Sequence, residues 1–216
     1  MKIKTAHIVL GAPIEQAVFP SPKKNDMVIG VDEGAILCLS RDIPVTVAIG
    51  DFDSVTHEQK IKLDAVISDI HEFASEKDET DAEIALEMAV ADETVDEIIV
   101  YNWSGGRIDH MLSVIYMVYQ PKLENAVDRL TLLDKSNTMR FYRAGEYVLN
   151  KEEGRDYLSF LTMTTVRQLT LTGVKYPVHQ VSYSYPRALI SNEFLKGKCH
   201  FSFKEGLVAV IQSSDN

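Results

Sequence analysis

The sequence predicts an α/β N-terminal domain with a mostly parallel, Rossmann-like sheet, followed by an all-β sandwich domain. Two observations predict this order. Over residues 1–120, short β-branched runs alternate with helical patterns, which is typical of βαβ units. After Pro121, closely spaced alternating segments with turn signals between them replace the helices. We therefore expect two domains, residues 1–122 and residues 123–216.

Short apolar and β-branched runs mark the strands of the first domain, while apolar positions three or four residues apart mark its helices. The strands are expected at Ile3–Leu10, Met27–Val31, Val45–Ile49, Ile70–Phe73 and Glu97–Trp103. The helices are expected at Gly34–Arg41, His57–Ala65, Asp81–Ala91 and Arg107–Tyr119. Because strands and helices alternate, the strands should pair in parallel, with their carboxyl ends at one edge of the sheet.

The second domain has alternating segments that are too closely spaced for intervening helices. Its strands are expected at Leu130–Leu133, Tyr157–Met163, Val166–Leu171, Lys198–Phe203 and Leu207–Ile211. Turn signals that contain glycine fall between the segments, at Gly145, Gly154, Gly173 and Gly206. This pattern predicts an antiparallel sandwich of about 90 residues.

Charge is unevenly distributed along a chain whose composition is that of a soluble globular protein. The 216 residues are 45% hydrophobic and 25% charged, with a formal net charge of −10. Residues 1–120 carry 22 acidic and 9 basic side chains, whereas residues 121–216 carry 10 and 13. Because nucleic acids and anionic membranes repel such a chain, neither is expected as a partner. The acidity of the first half requires its own explanation.

Features that would indicate export or membrane insertion are not found in the sequence. The N-terminus lacks a signal-peptide cleavage pattern, and the apolar stretch Val114–Tyr119 is far too short to span a bilayer. The two cysteines, Cys38 and Cys199, offer neither a disulfide framework nor a metal-ligand spacing. We therefore expect a cytoplasmic protein.

Two aspartates, Asp51 and Asp53, follow the third expected strand in the sequence Ile-Gly-Asp-Phe-Asp-Ser. In an extended chain, side chains two residues apart leave on the same side. Two carboxylates that close repel each other, and a cation between them relieves the repulsion. A solvated, aspartate-rich turn is the alternative interpretation. The motif alone leaves both interpretations open.

A second acidic motif, Lys-Asp-Glu-Thr-Asp-Ala-Glu, begins at Lys77 and opens the helix at Asp81. Thr80 and Glu83 have the spacing of a capping box, which accounts for both residues structurally. Capping accounts less well for Asp78. A helix start also binds phosphate through free N–H groups, and carboxylates beside it bridge phosphate to Mg²⁺. Alone, this motif favours the capping interpretation.

A glycine-rich motif, Ser-Gly-Gly-Arg-Ile-Asp-His, joins the fifth strand to the next helix. Gly105 and Gly106 allow the backbone to approach a ligand closely, and the Arg107 guanidinium suits a phosphate oxygen. Neither the P-loop pattern nor G-x-G-x-x-G is present. A tight turn with a surface arginine is the alternative. His110 is either a proton carrier or, more simply, a hydrogen-bonded helix residue.

A weaker motif, Val-Asp-Glu-Gly-Ala over residues 31–35, also joins a strand to a helix, and an N-cap at Asp32 with an easy turn at Gly34 accounts for it. All four motifs follow the carboxyl ends of strands, so in a parallel sheet they would face one crevice. Unrelated turns have no reason to coincide in this way. Carboxylates, an arginine and glycine-rich helix starts together suit a nucleotide di- or triphosphate with Mg²⁺.

Together these motifs resemble those of the thiamine pyrophosphokinase family, also called thiamine diphosphokinase. The family motifs D-x-G-A, G-D-F-D-S, K-D-x-T-D and G-G-R-x-D-H are matched in order and spacing at Asp32–Ala35, Gly50–Ser54, Lys77–Asp81 and Gly105–His110. Leu171–Tyr176 and Ser191–Glu193 are similar to segments of the family's thiamine-binding β-domain. The resemblance covers nearly the whole chain.

The resemblance implies transfer of a diphosphate group from ATP to the hydroxyl of thiamine, with release of AMP and a requirement for Mg²⁺. It implies that Asp51, Asp53 and Asp81 are catalytic residues and metal ligands. The residues expected to bind or support the nucleotide are Asp32, Gly34, Asp78, Thr80, Gly105, Gly106 and Arg107. Arg107 would also act in catalysis, and Asp109 would orient the substrate or help to remove its hydroxyl proton.

The resemblance further implies that the second domain binds thiamine, with Ser191 and Asn192 against it. Family members are typically homodimers with the substrate site at the subunit interface, so we expect a homodimer. The chemistry is compatible with these residues, because attack of a neutral hydroxyl on phosphorus requires charge neutralisation and alignment rather than a covalent nucleophile.

Three other functions remain open. A related diphosphokinase acting on another alcohol, such as a hydroxymethylpterin, would use the same α/β motifs, although the segment Ser191–Glu193 favours thiamine. A non-catalytic nucleotide or thiamine sensor is less favoured, because sensors can lose the metal carboxylates and here all are present. A Mg²⁺-dependent phosphohydrolase would use the same acids but has less use for a second ligand-binding domain.

Overall fold

The computed structural model of the protein describes residues 3–11, 13, 16–53, 55–73 and 78–215. The chain divides into two compact units, Met1–Lys135 and Ser136–Asn216. Among the described residues, no helix has the length and apolar character needed to cross a membrane.

The first unit contains a six-stranded sheet in which every pair of neighbours is parallel. Its strands are β1 (Thr5–Val9), β2 (Met27–Val31), β3 (Val47–Gly50), β4 (Ile70–Glu72), β5 (Glu97–Tyr101) and β6 (Leu130–Leu133). Their spatial order is β6-β5-β1-β2-β3-β4. The carboxyl ends of all six strands therefore lie at one edge, as the alternation of strands and helices predicts.

The four expected helices are present in this unit. They are α1 (Glu33–Leu39), α2 (His57–Val66), α3 (Asp81–Ala91) and α4 (Ile108–Tyr116). Two 3₁₀ segments, Met117–Tyr119 and Pro121–Arg129, follow α4. Helix α4 is thus shorter than its apolar pattern predicts, since the chain tightens into 3₁₀ geometry before Pro121.

Apolar side chains on the helices and strands form the core of this unit. All five residues of β1 are buried, as expected for a central parallel strand covered on both faces. One buried cluster joins α1, α2, β3 and the chain that follows them: Ala35, Ala48, Phe52, Leu63 and Ile67. The helix packing that holds the strand ends in place therefore depends on the same apolar spacing that predicts the helices.

The boundary between the units differs from the one expected at residues 122 and 123. Strand β6 pairs in parallel with β5, through residues such as Ile98 with Leu130 and Val100 with Leu132. It therefore extends the sheet of the first unit, which continues to Lys135. A four-residue apolar run does not show whether its strand will pair in parallel or antiparallel. The sequence therefore offers no reason to separate this run from the antiparallel strands that follow it.

The second unit consists of antiparallel strands throughout. They are β7 (Asn137–Asn150), β8 (Tyr157–Thr162), β9 (Val166–Thr172), β10 (Val178–Tyr183), β11 (Arg187–Asn192) and β12 (Lys198–Ser213). Strand β12 pairs with β7 along its length, with β9 through its first part and with β8 through its last part. Strand β10 pairs with β9, and β11 pairs with β8.

Long β12 includes both segments that the sequence predicts as separate strands. The pairing with β7 shifts between Phe203 and Leu207. Gly206 lies at this irregularity with φ of 104°, and a Cβ there would lie 2.1 Å from the carbonyl oxygen of Thr165. The glycine therefore marks a bulge within one strand rather than a turn between two. Elsewhere in the core of this unit, the buried rings of Phe160 and Phe201 pack with their centroids 5.4 Å apart.

Helix α1 packs so closely on β1 that its first turn needs glycine. A Cβ on Gly34 would lie 2.0 Å from the carbonyl oxygen of Val9, whereas a Cβ on Gly106 would meet no atom within 4 Å. We expect Gly34→Ala to lower the free energy of unfolding by about 1–3 kcal/mol, because the helix must move away from the strand. We expect Gly106→Ala to change it by less than about 0.5 kcal/mol.

Urea unfolding followed by circular dichroism measures both changes. A Gly34→Ala protein as stable as the parent, or more stable, would contradict this account of the helix packing.

Candidate functional site

A cleft of about 400 Å³ lies at the carboxyl edge of the parallel sheet. It is formed by the ends of β1, β2, β3 and β5 and by the starts of α3 and α4. The predicted site residues that line it are Asp32, Asp51, Asp78, Thr80, Asp81, Gly106 and Arg107. All four motifs of the first unit thus contribute to one cleft, as their positions after successive strands predict.

Other predicted residues are not part of this lining. In the first unit they are Gly34, Asp53, Gly105 and Asp109; in the second they are Ser191 and Asn192. Ser54 and Lys77, which complete two of the motifs, lie outside the described residues.

Asp32 occupies the most constrained position in the cleft. Its backbone has φ of 47° and ψ of −120°, and its N–H donates to the carbonyl oxygen of Ile49 at 2.9 Å. A Cβ on Gly50 would lie 1.8 Å from Asp32 Oδ1, so this carboxylate fits only because residue 50 is glycine. Among the described residues Oδ1 is buried and has no hydrogen-bond partner. A buried acceptor without a donor is costly, and a bound ion or water is one way to satisfy it.

The carboxyl of Asp32 holds its proton unusually strongly. Burial, and after it the negative charges of Asp81 and Asp51, together raise its pKa to about 6. Hydrogen bonding from the backbone of Phe52 and Asp51 opposes the shift. Three carboxylates from three different strand-to-helix connections therefore repel one another within the cleft.

The pair Asp51 and Asp53 does not lie on one side of an extended strand, as the sequence suggests. Strand β3 ends at Gly50, and Phe52 has φ of 52°, in the left-handed region. Phe52 is buried in the core, so the chain turns around it. Asp53 is exposed, and its N–H donates to Asp51 Oδ1 at 3.2 Å. The alternation rule does not apply because the motif is a turn.

The start of α3 has the capping box that the sequence predicts. Glu83 N–H donates to Thr80 Oγ1 at 3.2 Å, and Thr80 N–H donates to Glu83 Oε2 at 2.7 Å. The Thr80 hydroxyl is therefore engaged in the cap, while Asp78 and Asp81 on either side of it line the cleft. One short segment of the chain therefore supplies both the helix cap and two acidic residues of the cleft.

The loop between β5 and α4 carries the glycine-rich motif. Gly105 has φ of 90°, and a Cβ there would lie 2.3 Å from Gln16 Oε1, whereas Gly106 faces open space in the cleft. Arg107 lines the cleft and donates to Asp109 through Nε at 3.1 Å and through a terminal nitrogen at 2.5 Å. This bidentate pair lowers the pKa of Asp109 from its ordinary value. Asp109 is therefore a weaker base than an ordinary aspartate, and its contact with Arg107 holds the guanidinium in a fixed orientation.

Asn102 is a site residue that sequence reasoning missed. It is 2% exposed and has φ of 62°. Its Oδ1 accepts from the N–H of Val18 at 2.8 Å, and its Nδ2 donates to the carbonyl oxygen of Leu10 at 3.4 Å. It thus joins three segments around the cleft. The sequence did contain a signal for this residue: an asparagine directly after a strand indicates a turn, because asparagine tolerates left-handed backbone.

Other lining residues that carried no assigned role are Glu79, Trp103, Ser104 and Ser113, and His110 also faces the cleft. Trp103 is the single tryptophan of the chain. Its Nε1 is buried without a hydrogen-bond partner among the described residues.

In the second unit, Asn192 serves the turn at Tyr176. Asn192 Oδ1 accepts from the N–H of Tyr176 at 2.9 Å and of Glu193 at 3.0 Å, while Nδ2 donates to the carbonyl oxygen of Tyr176 at 3.0 Å. The side chain is 3% exposed, so its contacts are internal. Ser191 is exposed, with φ of 57°. Asn192 therefore holds the Tyr176 loop in shape rather than presenting its own amide to solvent.

Among the residues that the structure describes, no three acidic, histidine or cysteine side chains are grouped closely enough to hold a metal ion as they stand. Asp51 and Asp81 share the cleft with Asp32, whereas Asp53 is not among the described residues that line it. Of the three expected metal ligands, the cleft thus brings together Asp51 and Asp81 but not Asp53.

Comparison with known proteins gives the same family for both units. A family model described as thiamin pyrophosphokinase, catalytic domain, matches residues 21–128, and one described as thiamin pyrophosphokinase, vitamin B1 binding domain, matches residues 146–208. A thiamine pyrophosphokinase from Bacillus subtilis (strain 168) is 33% identical over 219 residues, which cover 99% of this chain and 100% of that protein.

Solved structures show the same similarity. A thiamin pyrophosphokinase family protein from Enterococcus faecalis is 31% identical, with a TM-score of 0.92 and coverage of 99% of this chain and 100% of that one. The Bacillus subtilis enzyme has a TM-score of 0.88 with the same coverage. Yeast thiamin pyrophosphokinase, 14% identical with a TM-score of 0.72, covers 99% of this chain and 87% of its own, and shows the fold alone.

The raised pKa of Asp32 predicts a pH-dependent loss of stability in the metal-free protein. A carboxyl whose folded pKa is raised destabilises the fold as pH rises from its ordinary value of 3.8 through about 6. We expect Asp32→Asn to be more stable than the parent at about pH 7 by about 1–2 kcal/mol, since the carboxylate is partly hydrated, and similar to it near pH 4.

Thermal unfolding in the presence of EDTA measures this difference, with Asp64→Asn on the exposed face of α2 as the matched control. A variant that gains nothing at neutral pH, or gains equally at both pH values, would contradict the proposed repulsion.

Proposed function

The chain belongs to the thiamine pyrophosphokinase family, and from this premise we propose which of its residues carry out the reaction. It is an ATP-dependent enzyme that transfers a diphosphate group from ATP to the hydroxyl of thiamine. The observation that supports the assignment of the cleft is the meeting of Asp32, Asp51 and Asp81 with Arg107 at the carboxyl edge of a parallel sheet. Acidic and basic groups at one edge suit a metal-bound polyphosphate.

We propose that Asp51, Asp53 and Asp81 hold Mg²⁺, with Asp32 and Asp78 supporting the ion or the nucleotide. Asp32 supports this, because its Oδ1 has no hydrogen-bond partner among the residues described and a cation would provide one. The raised pKa of Asp32 also supports it, because a cation would offset the charges of Asp51 and Asp81. Asp53 is exposed and is not part of the described cleft lining, so its place in the set rests on its position two residues after Asp51. Bound Mg²⁺ would neutralise phosphate charge during transfer.

We propose that the glycine-rich loop binds the ATP phosphates. Arg107 offers a guanidinium to phosphate oxygens, and Asp109 holds it in place through the bidentate pair. Gly106 leaves space for close approach, while Gly105 supplies the left-handed backbone of the turn. Thr80 contributes chiefly through the cap of α3, and Gly34 through the packing of α1 on β1.

We propose that the second unit, an antiparallel sandwich, binds thiamine near Ser191 and Asn192, while the first, a Rossmann-like unit, binds ATP. Tyr176 supports this placement. Its side chain is 57% exposed, its loop is fixed by Asn192, and an aromatic face is a favourable surface for the cationic ring of thiamine.

We propose that the enzyme is a cytoplasmic homodimer with the active site at the subunit interface. A stripe of exposed apolar side chains along α4 supports the dimer, since Ile108, Leu112 and Tyr116 recur every four residues and Ile108 is 69% exposed. Such a stripe on a helix that begins at the cleft is typical of an interaction surface. The free, buried Cys38 and Cys199 fit a reducing compartment.

An assay of the nucleotide product tests the reaction. Purified protein with ATP, Mg²⁺ and thiamine should form AMP and thiamine diphosphate, and AMP should not accumulate when thiamine is omitted. A hydroxymethylpterin in place of thiamine should give no AMP. ADP as the product, or hydrolysis without an acceptor, would contradict the proposal.

Removal of a single proposed metal-binding carboxylate should lower turnover strongly without unfolding the protein. We expect Asp51→Asn and Asp53→Asn each to lower kcat by about 100-fold or more, because the phosphate charge is no longer neutralised. Asp64→Asn, which removes an exposed carboxylate from α2, should leave kcat unchanged. Steady-state kinetics with varied Mg²⁺ measures the effect, and near-normal activity of Asp53→Asn would remove that residue from the ligand set.

A further inference from the structure

The end of β6 determines the shape of the loop between β5 and α4. Asn102 N–H donates to the carbonyl oxygen of Leu133 at 3.0 Å, and the Ser104 hydroxyl donates to Asp134 Oδ2. The residues of this loop that line the cleft are Asn102, Trp103, Ser104, Gly106 and Arg107. Leu133, the last residue of β6, and Asp134, directly after it, therefore fix the first part of a loop that lines the cleft.

Asp134 is buried, with 6% exposure, and is not among the described residues that line the cleft. A buried carboxylate is costly unless it accepts hydrogen bonds, and bonds to a charged acceptor are stronger than neutral ones. A serine hydroxyl has one proton and two lone pairs. Since the proton of Ser104 is donated to Asp134, the oxygen of Ser104 presents lone pairs to the cleft.

We propose that Asp134 is a positioning residue that holds Ser104 as a hydrogen-bond acceptor for a hydroxyl group of a bound substrate. This inference rests on the proposed function, which supplies two substrates with hydroxyl groups: the nucleotide, through its ribose, and the acceptor alcohol. A phosphate oxygen is itself an acceptor and does not match this polarity. Within the same loop, Arg107 supplies the donors that phosphate requires.

Steady-state kinetics of Ser104→Ala, Ser104→Thr and Asp134→Asn tests the proposal. We expect Ser104→Ala to raise KM for one substrate by about 10-fold, with kcat and the melting temperature close to those of the parent. Ser104→Thr keeps the hydroxyl and should retain a KM near that of the parent. Asp134→Asn should raise the same KM, because the hydroxyl is less firmly oriented.

The double variant separates a positioning role from a structural one. If Asp134 acts through Ser104, Asp134→Asn should add no further increase in KM to the Ser104→Ala protein. A further increase equal to that in the parent background would overturn the proposal, as would unchanged KM values for both substrates in Ser104→Ala.

The two sources of the hydroxyl give different results. If the ribose is the donor, KM for ATP rises in Ser104→Ala, and replacing ATP by its 2′-deoxy or 3′-deoxy analogue raises KM in the parent but not in the variant. If the alcohol is the donor, KM for thiamine rises instead.

Substrate binding provides a readout that does not need turnover. Trp103, beside Ser104 in the cleft, is the single tryptophan, so its fluorescence reports titrations with ATP or with thiamine. A parent protein that forms no AMP would contradict the proposed function. If the parent and Ser104→Ala bind both ligands with equal affinity, only the proposed role of Ser104 is contradicted, and the proposed function is not.

Discussion

Repulsion among carboxylates at one edge of the parallel sheet is the interaction on which the site depends. Asp32 lies over Gly50, and its Oδ1 is buried without a hydrogen-bond partner in the described part of the chain. Asp51 and Asp81 add negative charge beside it. Packing of the strands and helices holds these groups together, because each belongs to the connection after a different strand. The fold therefore maintains an arrangement that is unfavourable without a counter-charge, and Mg²⁺ with ATP is the counter-charge that we propose.

The acidity of the first half of the chain has a specific meaning in this arrangement. Part of the excess charge is gathered around the cleft by Asp32, Asp51, Asp78 and Asp81. Arg107 lies in the same lining but is paired with Asp109, so its charge is oriented rather than free. In the proposed site, this oriented guanidinium would supply positive charge to the phosphates, and the remaining negative charge favours a cation.

Much of the first unit could be predicted from sequence because its signals are local. The capping box at Thr80, the apolar spacing of α3 and the glycine at residue 105 each report the conformation of neighbouring residues. Convergence of the motifs on one cleft follows from parallel pairing. The turn at Phe52 was missed, since burial of that ring against distant helices overrides the extended pattern of its neighbours.

Contacts between residues far apart in sequence could not be predicted in this way. Strand β6 joins the parallel sheet through β5, and only that pairing brings Asp134 to Ser104. Likewise, the buried amide of Asn192 serves the loop at Tyr176, which the serine-asparagine-glutamate segment alone does not indicate. The pKa of the Asp32 carboxyl, measured by NMR, tests the central claim most directly. It should be about 6 in the metal-free protein and should fall when Mg²⁺ is added; a value near 3.8, or no response to Mg²⁺, would contradict the account.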